Sequence, residues 1–155
     1  EAMVMEYASL RGSLDGMDPT AITDIARYFR DEIGYEIPVM TPFVGRQFNT
    51  TRAGIHADGL LKDAEVYTIF DTRKILGRAP AVMIGKASGL AGIAYWINEN
   101  YQLAGGQAVD KKDPLVVALK QWIDAEYEDG RQTTLSTAEL ETKIEELSAG
   151  RFRRL

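Results

Sequence analysis

The stretch FNTTRAGIHADGLLKD, residues 48–63, carries the only histidine of the chain, His56. Apolar residues recur in this stretch at steps of three and four, which predicts one helix running from 48 to 63. On such a helix Arg52, His56 and Leu60 lie one turn apart, so that the imidazole stands beside the apolar face. We therefore expect any chemistry that the chain supports to involve His56.

Two interpretations of His56 follow from its position. A single histidine at the edge of an apolar stripe is commonly a hydrogen-bonded packing residue. Histidine is also the side chain best suited to exchange protons near neutral pH. Gly54 and Gly59 each cost about 1 kcal/mol in a helix relative to alanine, and the usual reason for such residues is close approach by another backbone or a ligand. These residues alone leave both interpretations open.

The composition is that of a globular protein. The chain has 155 residues, of which 45% are hydrophobic and 26% charged, enough for one domain or two small ones. Its net charge of -5 argues against binding to nucleic acid, which would need a basic face. The absence of cysteine excludes disulfides, thiolate nucleophiles and cysteine-ligated metals. No apolar run approaches the ~20 residues of a membrane span, so we expect no membrane partner and a cytoplasmic protein.

The first residues indicate a longer parent protein. The chain opens at Glu1 without an initiator methionine, and residues 2–11 already have the apolar spacing of a helix that ends near Gly12. We therefore expect the sequence to be a fragment of a larger chain.

The remaining apolar patterns are mostly helical. Four capping signals predict where helices begin: Asp18-Pro19, Asp71, Asp113-Pro114, and Ser136 with Glu139. Amphipathic spacing follows most of these signals, with Ile93 and Ile97 among the inward positions of a further helix from about residue 90. The sequence thus predicts a mainly α-helical fold of small subdomains, with at most a short strand.

Two segments are expected to be non-helical. Pro38 and Pro42 disfavour helix at their own positions and just before them, so residues 35–47 are predicted to be an extended linker that spans distance. Residues 80–84 are apolar enough for a short strand, although a buried loop is nearly as good an interpretation. The predicted division of the chain is 1–34, linker 35–47, a small helical subdomain over 48–84 that carries His56, and a helical subdomain over 85–155.

Two further patterns resemble ligand sites. The turn Gly-Lys-Ala-Ser-Gly at 85–89 is similar to a phosphate cradle, but it lacks the upstream glycine of a P-loop, and Ser88 is better interpreted as a helix cap. The acidic residues of the last helix are typical of a solvated face: Glu139, Glu141, Glu145 and Glu146. No set of histidine and carboxylate residues has the spacing of metal ligands, so no metal site is predicted within the chain.

Most of the chain resembles the region that follows the catalytic barrel in the family of 2-isopropylmalate synthase, homocitrate synthase and Re-type citrate synthase. The resemblance is most specific in AGIHADGLLKD, residues 53–63. It continues in Tyr67, in FDT at 70–72 and in GKASGLAG at 85–92. The opening MEYASLRG is similar to the last helix of the barrel, so the resemblance implies that residues 1–34 are the terminal helices of the catalytic barrel.

The resemblance implies an activity, a cofactor and partners. In this family a (β/α)8 barrel that needs a divalent metal joins the acetyl group of acetyl-CoA to a 2-oxo acid and releases CoA. The barrel supplies the metal ligands, none of which is in this chain, so no cofactor is expected in the chain itself. In the homodimer a small helical subdomain reaches over the neighbouring subunit's barrel. By motif, His56 is the histidine placed at that active site, and Tyr67 is the nearest candidate for a tyrosine that serves some members.

Three interpretations from different classes follow. The chain is an accessory part of a Claisen-condensing acyltransferase and inactive alone, or a stand-alone helical binding or dimerisation module, or, as the weakest alternative, a nucleotide-binding protein at 85–89. The identity of the 2-oxo acid stays undetermined, because in this family mainly barrel residues determine substrate specificity. The amino-acid sequence of residues 53–63 favours a citrate or homocitrate synthase.

Overall fold

The computed structural model describes residues 1–52, 54–62, 70–149 and 152. Its α-helices are, in chain order, α1 (Ala2–Arg11), α2 (Ala21–Asp31), α3 (Gly54–Lys62), α4 (Thr72–Leu76), α5 (Leu90–Asn100), α6 (Pro114–Glu128) and α7 (Thr137–Leu147). Two short strands, β1 (Thr50–Thr51) and β2 (Ala81–Val82), pair in a two-stranded parallel sheet. The predicted fold class, mainly α-helical with at most a short strand, is confirmed.

Local capping chemistry determines several helix starts. The Asp71 carboxylate accepts hydrogen bonds from two backbone amides in the first turn of α4. Asp113 caps α6 in the same way, through a 2.9 Å bond from the amide of Leu115. Ser136 and Glu139 form the expected capping box, in which the Ser136 amide donates to the Glu139 carboxylate at 2.8 Å. These predictions are confirmed because each depends only on residues close in sequence.

Two predicted caps act differently. The Asp18 carboxylate accepts hydrogen bonds from the amide and the hydroxyl of Thr20, at 2.9 and 2.6 Å, and thereby forms a turn ahead of α2 rather than its cap. Ser88 was expected to cap α5, but its Oγ accepts from the amide of Gly85 at 2.9 Å. Short polar side chains bond nearby backbone in several ways, and here the turn is satisfied in preference to the helix end.

Residues 38–47 fold into consecutive turns, whereas the prolines predict an extended linker over 35–47. The amide of Gln47 donates to the carbonyl of Val39, and the amide of Gly45 donates to the carbonyl of Thr41, both at 2.8 Å. A Cβ atom on Gly45 would lie 2.5 Å from the Val39 carbonyl oxygen, so only glycine fits there. Proline suits turns as well as extended chain, which is why the sequence pattern did not separate the two.

The chain divides into two compact units. Unit 1 comprises Glu1–Thr50 and Thr68–Ala81, and unit 2 comprises Thr51–Tyr67 and Val82–Leu155. Within unit 2, the amide of Met83 donates to the carbonyl of Thr51 at 2.9 Å. The four-part division of the chain made from the sequence stays a prediction.

Unit 1 has a small core, in which α2 packs on α4. Its buried side chains on these helices are Ile22, Ala26, Thr72 and Leu76. The Thr23 hydroxyl donates to the carbonyl of Leu76 at 2.6 Å and so joins α2 to the end of α4. In contrast, α1 buries no residue, and Met3 and Leu10 are 77% and 81% exposed.

Unit 2 contains the larger core. α5 packs on α3 and on α6, and α6 packs on α7. The largest fully buried aliphatic side chains of this unit are Ile84, Ile93, Ile97, Val116, Leu119, Ile123, Leu140 and Ile144. Burying each contributes roughly 1.5–3 kcal/mol, which makes this core the main stabilising element of the unit. None of the helices in the described part of the chain combines the length and apolar character needed to cross a bilayer.

Candidate functional site

His56 is the third residue of α3. The helix predicted over 48–63 is wrong at its start, because Thr50 and Thr51 form β1 and Arg52 is an exposed residue that precedes the helix. Two consecutive β-branched residues favour strand over helix, and the pairing of β1 with β2 adds to that preference. Arg52 is therefore not one helical turn from His56.

The strand brings a hydroxyl group to the imidazole. Oγ1 of Thr51 lies 3.3 Å from Nδ1 of His56, and both residues are partly buried. When Nδ1 carries the proton, it donates to the Thr51 oxygen and Nε2 is the basic nitrogen; in the other tautomer the hydroxyl donates to Nδ1. Sequence reasoning missed Thr51 because it placed this residue in the helix, and the signal available was the Thr50-Thr51 pair.

The residue after His56 determines which side of α3 faces the core. Ala57 is fully buried, and a Cβ placed on Gly92 of α5 would lie 3.4 Å from the Ala57 Cβ. At Ala57, α3 therefore lies in close contact with a helix of the same chain. The close approach expected at Gly54 and Gly59 stays a prediction. Successive residues of a helix are about 100° apart, so His56 points away from this contact and is only half-buried.

An ion pair connects α3 to the segment that precedes α6. Oδ1 of Asp58 lies 3.6 Å from Nζ of Lys111. Residues two apart on a helix face different directions, so this carboxylate is not on the same face as His56. A partly exposed pair of this kind contributes about 0–1 kcal/mol, and its main effect is to fix charge near the surface of α3.

The structure bears differently on three other candidates: Tyr67, the turn at 85–89 and a metal site. Tyr67 lies outside the described residues. In the turn at 85–89, the Gly85 amide is already bonded to Ser88, and the Ser88 amide donates back to the Gly85 carbonyl at 2.9 Å. Among the described residues there is no group of three or more histidines and carboxylates that could hold a metal ion.

Known proteins that are similar to this chain include synthases of the citrate and isopropylmalate type. The chain is 54% identical over 144 residues to the citrate (Re)-synthase of Syntrophus aciditrophicus (strain SB), which covers 93% of the chain and 23% of that protein. It is 49% identical over 144 residues to the citrate (Re)-synthase of Clostridium kluyveri, covering 93% and 32%. The 2-phosphinomethylmalate synthase of Streptomyces hygroscopicus is 37% identical over 108 residues, covering 70% and 24%. No protein-family model matches the chain.

These matches confirm the resemblance to the family of citrate (Re)-synthase and 2-isopropylmalate synthase. The chain spans between 23% and 32% of the length of the two citrate (Re)-synthases, which is consistent with a C-terminal part of such an enzyme. The matched proteins are synthases, that is, transferases, so the family is one of enzymes.

Proposed function

We propose that the chain is the C-terminal accessory part of an enzyme that joins acetyl-CoA to a 2-oxo acid in a Claisen-type condensation. The observation that supports this most is the 54% identity over 144 residues to a citrate (Re)-synthase. Two relatives that match 93% of the chain are named citrate (Re)-synthase, which favours citrate as the product over homocitrate or 2-isopropylmalate.

In this proposal His56 assists proton transfer at the active site of the neighbouring subunit in a homodimer. Forming the new carbon–carbon bond requires removal of a proton from the acetyl methyl group and protonation of the former carbonyl oxygen. The position of His56 supports such a role, because its ring is half-buried and its Nδ1 is 3.3 Å from the Thr51 hydroxyl. With the proton on Nδ1, this contact leaves Nε2 as the nitrogen that can accept a proton.

The isolated chain is proposed to be inactive. It carries one histidine, and its described residues contain no group that could hold the metal of the parent enzyme. The proposed role of His56 therefore requires the barrel of the full-length protein, and its test has to be made there.

Replacement of His56 in the full-length enzyme separates catalysis from packing. We expect His56→Ala to lower turnover by about 10²–10⁴-fold, the range typical of losing an acid–base group. The unfolding midpoint should change little. If His56 is a packing residue, the same substitution should instead lower the free energy of unfolding by roughly 1–3 kcal/mol and leave the turnover of the folded enzyme near normal. Thr51→Val should lower turnover by a smaller factor than His56→Ala does, and it should change the pH profile of turnover. Thr51→Ser keeps the hydroxyl group and should therefore retain the turnover and the pH profile of the parent enzyme. Unchanged turnover in His56→Ala would rule out the catalytic role.

Subunit mixing tests whether His56 acts across the dimer. A His56→Ala subunit is paired with a subunit whose barrel metal site has been disabled. If the histidine serves the neighbouring barrel, the mixed dimer has one complete site and regains activity. If it serves its own barrel, each site keeps one lesion, and verified heterodimers without recovery would contradict action across the interface.

A further inference from the structure

Four arginines of unit 1 line one pocket of about 280 Å³: Arg27, Arg30, Arg46 and Arg78. Two of them are three residues apart on α2, one lies in the loop before β1, and one follows α4. No acidic side chain is among the described residues that line the pocket. Its volume is near the lower end of small-molecule sites, roughly 300–1,000 Å³. This concentration of positive charge occurs in a chain whose net charge is -5.

Arg78 is the fixed member of this arginine pocket. Its guanidinium donates to the backbone carbonyls of Phe43, Gly45 and Arg46 at 3.1, 2.9 and 3.2 Å. It also lies 4.8 Å from the centroid of the Phe48 ring. Three of its five N–H groups are thus used by neutral acceptors, and no carboxylate in the described part of the chain pairs with it. The side chain is positioned while its charge stays uncompensated.

The charges of the other arginines are only weakly compensated. Arg27 pairs with Asp24 at 3.3 Å and Arg30 pairs with Asp31 at 3.0 Å, but these carboxylate side chains are 72% and 51% exposed. Pairs with such exposed carboxylates are screened by solvent and are weak. Burial, and then the positive charge of Arg30, lower the pKa of Arg78. An anion in the pocket would reduce this repulsion between like charges.

We propose that the arginine pocket binds a small oxyanion that carries two or more negative charges, the chemistry shared by phosphate, pyrophosphate and citrate. The guanidinium group presents paired N–H donors that match the oxygens of phosphate and carboxylate groups. Arg30 on α2 and Arg46 in the loop before β1 would supply such donors to the pocket, where Arg78 is already held in place. The small volume excludes large polyanions from complete burial.

Titration of the 155-residue chain tests this proposal. Phosphate, pyrophosphate and citrate are added separately at constant ionic strength, set with sodium chloride, and binding is followed by calorimetry and by NMR shifts of the Thr23, Arg46 and Gly77 amides. We expect saturable binding of at least one of these anions to one site, with the amide shifts confined to the pocket. Preference for citrate would assign carboxylates as the ligand class, and preference for phosphate or pyrophosphate would assign phosphates.

Three variants and one control make the result specific. Arg30→Gln and Arg46→Gln should each weaken binding by about tenfold or more, the value expected for losing a charged hydrogen bond. Arg30→Lys keeps the positive charge but not the paired N–H donors of the guanidinium group, so it should weaken binding less than Arg30→Gln does. Arg11→Gln removes the same charge from α1, outside the pocket, and should change binding by less than about twofold. Absence of saturable binding by all three anions, or equal weakening in Arg11→Gln, would overturn the proposal.

Discussion

Replacing Gly92 by alanine tests the close packing that positions α3. A Cβ atom on Gly92 would lie 3.4 Å from Cβ of Ala57 and 3.6 Å from Cγ1 of Val82, which are ordinary van der Waals distances. Alanine therefore fits without moving its neighbours, and it favours helix over glycine by up to about 1 kcal/mol. We expect Gly92→Ala to leave the free energy of unfolding unchanged or to raise it by up to about 1 kcal/mol.

Valine at position 92 is expected to have the opposite effect. Its two γ-methyl groups extend about 1.5 Å beyond Cβ, toward atoms of Ala57 and Val82 that are already in contact with that position. One χ1 rotamer is strongly preferred for valine in a helix, so these methyl groups cannot easily turn aside. Overpacking of this kind costs about 1–3 kcal/mol, and we expect Gly92→Val to lose that amount.

Urea denaturation followed by tryptophan fluorescence measures both effects. Trp96 and Trp122, the two tryptophans of the chain, lie in unit 2 together with the Gly92 contact. Gly106→Ala is the matched control, because a Cβ there meets nothing within 4 Å. Loss of more than about 1 kcal/mol in Gly92→Ala would mean that α5 and α3 leave less space at this position than the 3.4 Å contact indicates. Full stability of Gly92→Val would mean that the position is open. Either result would contradict the packing described here.

Glu139→Gln is expected to flatten the acid sensitivity of the chain. The backbone hydrogen bond from Ser136 and then the side chain of Arg131 lower the pKa of Glu139 from 4.5 to about 2. Its stabilisation is therefore present above pH 4.5 and is lost as the pH falls toward 2, so thermal melts should depend more steeply on pH in the parent chain than in the variant. Glu128→Gln removes the same charge elsewhere and should keep the steep dependence of the melting temperature on pH. Parallel curves of melting temperature against pH for the parent and Glu139→Gln would contradict the prediction. On α1, Leu10 is 81% exposed, and we expect the parent chain to self-associate through this helix in a concentration-dependent way that light scattering detects. Leu10→Lys should reduce this self-association, and a parent chain that stays monomeric would contradict the prediction.

Helix ends could be predicted from the sequence where the deciding contacts are local. Asp71, Asp113 and Ser136 bond amides within three residues of themselves, and each caps the helix that its pattern indicates. The start of α3 could not be predicted in the same way. It depends on Thr51 pairing with Met83, a contact between distant segments that apolar spacing near residue 51 does not encode.

The candidate sites show the same limit. His56 could be selected from the sequence because it is the only histidine and lies in a distinctive run. The arginine pocket could not, because Arg30, Arg46 and Arg78 come from three separate segments. Along the chain, only Arg27 and Arg30 are close to each other, and such a pair on a helix usually lies on a solvated face.

Two contacts on either side of His56 together define where its ring can lie. Before it, Thr51 is held in the strand by the amide of Met83 at 2.9 Å, and its hydroxyl is 3.3 Å from Nδ1. After it, Ala57 is buried in the core that contains α5. Because Ala57 determines the rotation of α3 about its axis, a larger residue there would turn the imidazole away from Thr51. The core of unit 2 therefore orients His56. If His56 has the proposed role in proton transfer, substitutions at Ala57 should lower turnover of the full-length enzyme, although this buried side chain cannot touch a substrate.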